Sequence, residues 1–373
     1  MKIGIMSMQR IINYGSWLQA YGLKQVLCGM GHQVEFVDYL AEPPLVKAEL
    51  QAASASVSGF GRLLRMFSPA YRRYRSGQIR MNQSFSAFYR QFSGEFLPML
   101  GVSEQQNLCP ELDALVIGSD EVFNCTQSGE AVGYSLQLFG RGNRAKKLLS
   151  YAASFGSTTM ERLERFGVRE EIGAHLAQFD AISVRDENSA EIVRKLCGIN
   201  PVRSIDPVLL YGFEEADAIP VARKDYIVVY AYAGRIQDEE AAAIRAFAKK
   251  HHKKIITLGF CQPFCDEYIP ATPLEVLAYV KHADYVVTDT FHGAVFSIKY
   301  QKQFAALIRQ SNYQKLSDLL HCFGLDGRAV TELSSMEEIL LKEVPADHIR
   351  ERLATFRMEA HGYLERALGQ DRE

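Results

Sequence analysis

Four stretches of the chain set polar, reactive side chains after short apolar runs. The densest is 284–296, where the apolar residues 285–287 pass at once into Thr288-Asp289-Thr290-Phe291-His292-Gly293. The run reads as a buried strand, the polar residues as a tight turn, and Ala294, Val295, Phe296 and Ile298 as the start of a helix. Open α/β sheets bind ligands at the carboxyl ends of strands, and helix N-termini attract anions. His292 at such a turn is placed for phosphate binding or proton transfer. The competing reading is a histidine that caps the helix and bonds to backbone. Asp289 would orient His292 or cap the turn.

The other three stretches repeat the pattern. Asn13, Tyr14 and Gly15 follow a strand at 2–7 and could line a site; alternatively Ser16 caps a helix and Gly15 permits the turn. Gly118-Ser119-Asp120-Glu121 follows an apolar run at 112–117. Asp120 there could act as a general base or bind a sugar hydroxyl, or it could sit in a turn that caps a helix. Arg185 follows a run at 181–184, where a guanidinium can hold a carboxylate or phosphate through two parallel bonds. Its plainer role would be an ion pair with Asp186 or Glu187.

The elements that must position these residues alternate. Strands are expected at 2–7, 33–39, 112–117, 148–153, 181–184 and 202–205, with helices at 17–30, 160–178 and 190–196 between them. Residues 211–224, with Gly212, Pro220 and several acidic residues, read as a connection. A second series follows: strands at 226–231, 254–258, 285–287 and 304–308, helices at 238–251, 272–282 and 314–323, and a charged helix after Asp347. Two such series imply an α/β fold of two Rossmann-like, doubly wound domains with a cleft between them. The first spans 1–210 and the second 221–345, with 346–373 as a C-terminal helix. Residues 47–96 stand apart, with eight basic residues against Glu49 and Glu95 and with interleaved aromatics. This insertion, about 47–105, reads as helices whose aromatics pack on the domain, with peripheral contact to a membrane surface as the alternative.

Composition excludes several classes. With 47% hydrophobic and 23% charged residues over 373 positions, the chain is an ordinary globular one. A net charge of -2 and the lack of a recognised motif argue against nucleic acid. The seven cysteines are scattered, which suits reduced thiols and a cytoplasmic location. Cys261 and Cys265 lack the further ligands of a zinc site, so no metal is expected. The glycines make no dinucleotide fingerprint. No run approaches the roughly 20 apolar residues of a membrane span, and 2–7 reads as a strand and not as a secretory signal.

Taken together, the blocks resemble the polysaccharide pyruvyl transferase family. They are Asn13-Tyr14-Gly15 with Leu18-Gln19-Ala20-Tyr21, Gly31-His32-Gln33-Val34 with Asp38-Tyr39, and Gly118-Ser119-Asp120-Glu121-Val122-Phe123-Asn124. Tyr151-Ala152-Ala153-Ser154-Phe155-Gly156, Ser183-Val184-Arg185-Asp186-Glu187, Asp206-Pro207 and Asp289-Thr290-Phe291-His292-Gly293 follow in order. Phe123 stands where the family often has Trp, Thr290 where it often has Ser, and Lys315 where it tends to have Arg. The resemblance implies a GT-B-like fold, phosphoenolpyruvate as co-substrate with no other cofactor, and a sugar of a capsule or exopolysaccharide precursor as acceptor, free or lipid-linked. A cytoplasmic enzyme of this kind would work at the inner face of the membrane if its acceptor is lipid-linked. The chemistry of such a transfer would place His292 and Asp120 in catalysis, Arg185, Lys315, Thr290 and Gly293 at the donor, and Asn13, Tyr14 and Ser119 at the acceptor. A glycosyltransferase using a nucleotide-sugar donor and a non-catalytic carbohydrate-binding protein remain the alternatives.

Overall fold

The computed structural model describes residues 1–46, 79 and 82–369. The core of the fold is two six-stranded sheets in which every neighbouring pair is parallel. The first holds β1 (Lys2–Met6), β2 (Gln33–Phe36), β3 (Ala114–Asp120), β4 (Lys147–Ala153), β5 (Ser183–Val184) and β6 (Val202–Arg203), in the order β2-β1-β3-β4-β5-β6. The second holds β7 (Tyr226–Tyr230), β8 (Lys254–Leu258), β9 (Glu267–Ile269), β10 (Tyr285–Thr288), β11 (Gln303–Leu307) and β12 (Ala329–Val330), in the order β12-β11-β10-β7-β8-β9. Most of their central residues are fully buried, as near-continuous runs of Val, Ile and Leu demand in sheets covered on both faces. The short strands β9 and β12 carry too few residues to stand out as a pattern, and the sequence did not signal them.

Eight helices of eight or more residues concern the site or its support: α1 (Tyr14–Gly29), α2 (Arg169–Leu176), α3 (Glu187–Cys197), α4 (Asp238–Lys250), α5 (Pro273–His282), α6 (Phe291–Lys299), α7 (Tyr313–Cys322) and α8 (Ala346–Leu368). Several differ from expectation: α3 and α6 each begin three residues early, at Glu187 and Phe291, where Asp186 and Thr290 cap them. α1 begins at Tyr14, three residues early, because Asn13 and not Ser16 is its cap: the Asn13 side chain accepts from the Ser16 N–H. The helix expected at 160–178 is two, Met160–Arg165 and α2, because Gly167 at φ +68 ends the first one.

The largest apolar cluster takes residues from both sheets, among them Tyr14, Trp17, Val116, Tyr226, Val286 and Phe296. α8 returns from the second half to the first: Tyr363 donates to the Ser150 carbonyl (2.7 Å) and Arg357 to that of Leu209 (2.7 Å). Lys299, at the end of α6, donates to the carbonyls of Tyr211 and Gly212 in the connection (2.9 and 2.8 Å). The aromatic insertion falls largely at 47–78 and 80–81, outside the described residues. Of its described part, Phe88, Phe92 and Phe96 are buried, and Trp17 donates to the Phe96 carbonyl (2.7 Å). Those three aromatics pack on the domain.

Tyr363→Phe removes one buried hydrogen bond without changing the ring. It should lower stability by about 1 kcal/mol in chemical denaturation followed by circular dichroism.

Candidate active site

Strand order reverses between β1 and β3 in the first sheet and between β7 and β10 in the second. These switch points open crevices at the strand carboxyl ends. The loops after β1, β3, β5, β7 and β10 line one cavity of about 170 Å³. It takes Asn13, Ser16, Asp120, Glu121 and Arg185 from the first half, and Tyr232, Arg235, Thr290, His292 and Lys315 from the second.

His292 stands in the first turn of α6, which Thr290 caps: the Gly293 N–H donates to Thr290 Oγ1 (2.9 Å). The N-terminus of α1 meets it from the opposite half. A Cβ on Gly15 would lie 2.2 Å from Nδ1 of His292, so only glycine lets the two helix ends approach this closely. His292 Nε2 lies 3.5 Å from Asp206 Oδ2, without hydrogen-bond geometry. Asp206, fully buried, caps the turn after β6 and also accepts from Arg185 Nη1 (2.9 Å).

Arg185 is itself buried. Its guanidinium lies over the Phe291 ring at 4.1 Å, and Nη2 is 3.5 Å from Asp120 Oδ1. Nε and Nη2 have no hydrogen-bond partner among the described residues. That is an open edge suited to the two oxygens of a carboxylate or phosphate. Asp120 accepts from Ser16 Oγ (2.8 Å). Lys315 is ion-paired with Glu121 across the cleft, and Glu121 also accepts from Asn124 Nδ2 (2.6 Å). Arg235 Nε lies 2.8 Å from Asp289 Oδ2.

The electrostatics separate the carboxyl groups. Burial would raise Asp120, but the charges of His292 and Arg185, the Ser16 bond and Lys315 outweigh it and hold it at about 2. Asp206 is lowered against its burial by His292 and Arg185, and Glu121 against its burial by Lys315. Asp289 goes the other way: burial raises it, and Arg235 and Arg309 offset only part. An Asp120 held at about 2 is a firm anion and a poor proton acceptor, so its setting suits the orientation of a hydroxyl better than general base work.

The cavity gathers six of the nine expected site residues: Asn13, Asp120, Arg185, Thr290, His292 and Lys315. Tyr14, Ser119 and Gly293 do not line it. Tyr14 is buried in the core, and its hydroxyl donates to the Ala271 carbonyl. Ser119 is buried and donates to the Ala152 carbonyl (3.0 Å). Gly293 contributes a cap hydrogen bond inside α6. Arg185 pairs with Asp206 and not with Asp186 or Glu187, since Asp186 caps α3. Asp289 neither caps nor partners His292; it faces Arg235 and Arg309 (2.8 and 3.6 Å). The reading of single stretches missed Asp206, Arg235 and Glu121. Asp206 and Arg235 also follow strand ends, β6 and β7, the signal that singled out Arg185. Among the described residues no cluster of His, Cys, Asp and Glu could hold a metal ion, and no helix is long and apolar enough to cross a membrane.

The family model for polysaccharide pyruvyl transferases matches residues 13–311, from the α1 cap to the loop before α7. The chain belongs to that family. Membership makes it one of a family of transferases. No curated protein matches its sequence. Among solved structures it is similar to the UDP-GlcNAc 2-epimerase from Neisseria meningitidis bound to UDP-GlcNAc, at 11% identity and TM-score 0.50, with 100% of both chains covered. It is also similar to the calicheamicin glycosyltransferase CalG4, at 11% identity and TM-score 0.43, with 100% and 99% covered. The two parallel sheets and the likeness to the epimerase make the fold of the pyruvyl transferase family member α/β and GT-B-like.

Two predictions follow from the geometry. Gly15→Ala should force the α1 and α6 ends apart, costing about 1–3 kcal/mol in a denaturation experiment and disturbing the His292 ring resonances. The second concerns acid. The folded value of Asp120, about 2, lies below the ordinary 3.8, so its ionisation stabilises the fold above about pH 4 and that contribution is lost as pH falls towards 2. Asp120→Asn should therefore flatten the loss of stability between pH 4 and 2, as read from urea midpoints.

Proposed function

We propose that the protein moves the pyruvyl group of phosphoenolpyruvate onto two hydroxyls of one sugar in a surface polysaccharide precursor, forming a cyclic ketal and releasing phosphate. The observation that carries this reading is the open Nε–Nη2 edge of buried Arg185, set beside His292, Lys315 and the N-terminus of α6. Phosphoenolpyruvate carries one carboxylate and one phosphate and needs fixed donors for both. The neutral, hydroxyl-binding groups Asn13 and Ser16, with Asp120, suit the sugar.

A proton is added to the methylene carbon of the donor, which becomes a methyl group. One sugar hydroxyl forms a C–O bond to the adjacent carbon and gives up its proton. The second hydroxyl then forms its own bond to that carbon as the C–O bond to phosphate breaks. Of the two hydroxyl protons, one replaces that spent on the methyl group and one leaves with phosphate. His292 moves the proton, with the Asp206 charge favouring the imidazolium form. Arg185 and Lys315 take the negative charge of the donor, and Asp120 orients a hydroxyl.

Phosphate release from phosphoenolpyruvate with a panel of β-galactosides and other glycosides tests this. His292→Ala should keep the fold and lower turnover by about 10²–10⁴; near-normal turnover would exclude the assignment. Arg185→Ala should chiefly raise the donor concentration needed for half-saturation. The other reading, a nucleotide-sugar glycosyltransferase, predicts no phosphate release and a higher melting temperature with a nucleoside diphosphate.

A further inference from the structure

A second cavity, of about 220 Å³, lies against the first. Arg185, Asp206, Phe291 and Lys315 line one or both of them, Asp206 only the second, so the Arg185–Phe291 stack is their common wall. Leu209, Leu319, Phe323 and Phe356 give the second cavity an apolar lining. Besides Ser204, its polar lining sets the four cations Arg185, Arg203, Lys315 and Arg352 against the three carboxylates Asp206, Asp318 and Glu359. Two of the cations are fixed: Arg203 donates to Asp318 (2.6 Å), and Arg352 donates twice to the Cys322 carbonyl (3.1 and 3.0 Å).

Ser204 is 7% exposed, and its Oγ has no hydrogen-bond partner among the described residues. The same holds for Nε and Nη2 of Arg185. Buried polar groups are nearly always paired, so these two mark where the polar end of a ligand belongs. At about 220 Å³, with an apolar end, the space suits a compact ligand.

We propose that this cavity binds a small monoanion with an apolar body, an aromatic or branched aliphatic carboxylate. The carboxylate accepts from Ser204 Oγ and the open edge of Arg185, and the body lies against Leu319, Phe323 and Phe356. Because this is the edge of Arg185 that the donor would take in the cleft, a ligand here and the donor exclude one another. The site concerns binding alone and stands whether or not the transfer reaction is the protein's activity.

Phenylacetate is the probe, titrated calorimetrically into the full chain, with acetate and benzyl alcohol as the parts lacking the ring or the charge. Phenylacetate should bind at least about tenfold more tightly than either. Leu319→Trp, which fills the apolar end, should abolish its binding. Ser204→Ala, a small change that leaves the packing in place, should weaken it about three- to tenfold. Binding no tighter than that of acetate, or unchanged in Ser204→Ala, overturns the site.

Discussion

Buried Arg185 donates to Asp206 at 2.9 Å and stands 3.5 Å from Asp120, while Asp206 lies 3.5 Å from His292. Charges this deep are tolerated only when their partners are in place, and removing one partner from such a set is far more costly than never having had it. The members of this set come from both sheets. Asp120, Arg185 and Asp206 belong to the first, and His292 arrives from the second. The two halves must therefore hold one relation to each other.

Much of the remaining structure serves that relation. α8 crosses back to bond with the first half through Arg357 and Tyr363, and Lys299 holds the carbonyls of the connection. Tyr14, at the start of α1, donates to Ala271, and the largest apolar cluster runs through both sheets. Directional bonds at the rim and non-directional burial beneath them bring the same two surfaces together. Gly15 sets how closely the ends of α1 and α6 approach.

The chemistry of the cleft then follows from unequal environments. Asp120 and Asp206 are kept ionised by their cations, whereas burial pushes Asp289 up. Arg185 has spent one nitrogen on Asp206 and keeps an edge for a ligand. An anionic donor and a hydroxyl-bearing acceptor can be told apart in such a space by which groups are fixed charges and which are neutral hydrogen-bonding partners.

Local pattern alone determined the α/β alternation, the two series of strands, and four of the strand-end loops that meet in the cleft. Short buried strands and their polar ends are written in consecutive residues, so His292, Asp120, Arg185 and Asn13 stood out before any fold was known. Two things were not local. Which loop residue faces the cleft depends on where the helix starts: the Asn13 cap turned Tyr14 into the core, and Ser119 bonded back to its own sheet. Which carboxylate serves which base was also out of reach. Asp289, three residues from His292, faces Arg235, while Asp206, 86 positions away in the chain, sits beside the imidazole. Ion pairs and orienting contacts act through space over a few ångströms, and only the packing of the two sheets decides which side chains come that close.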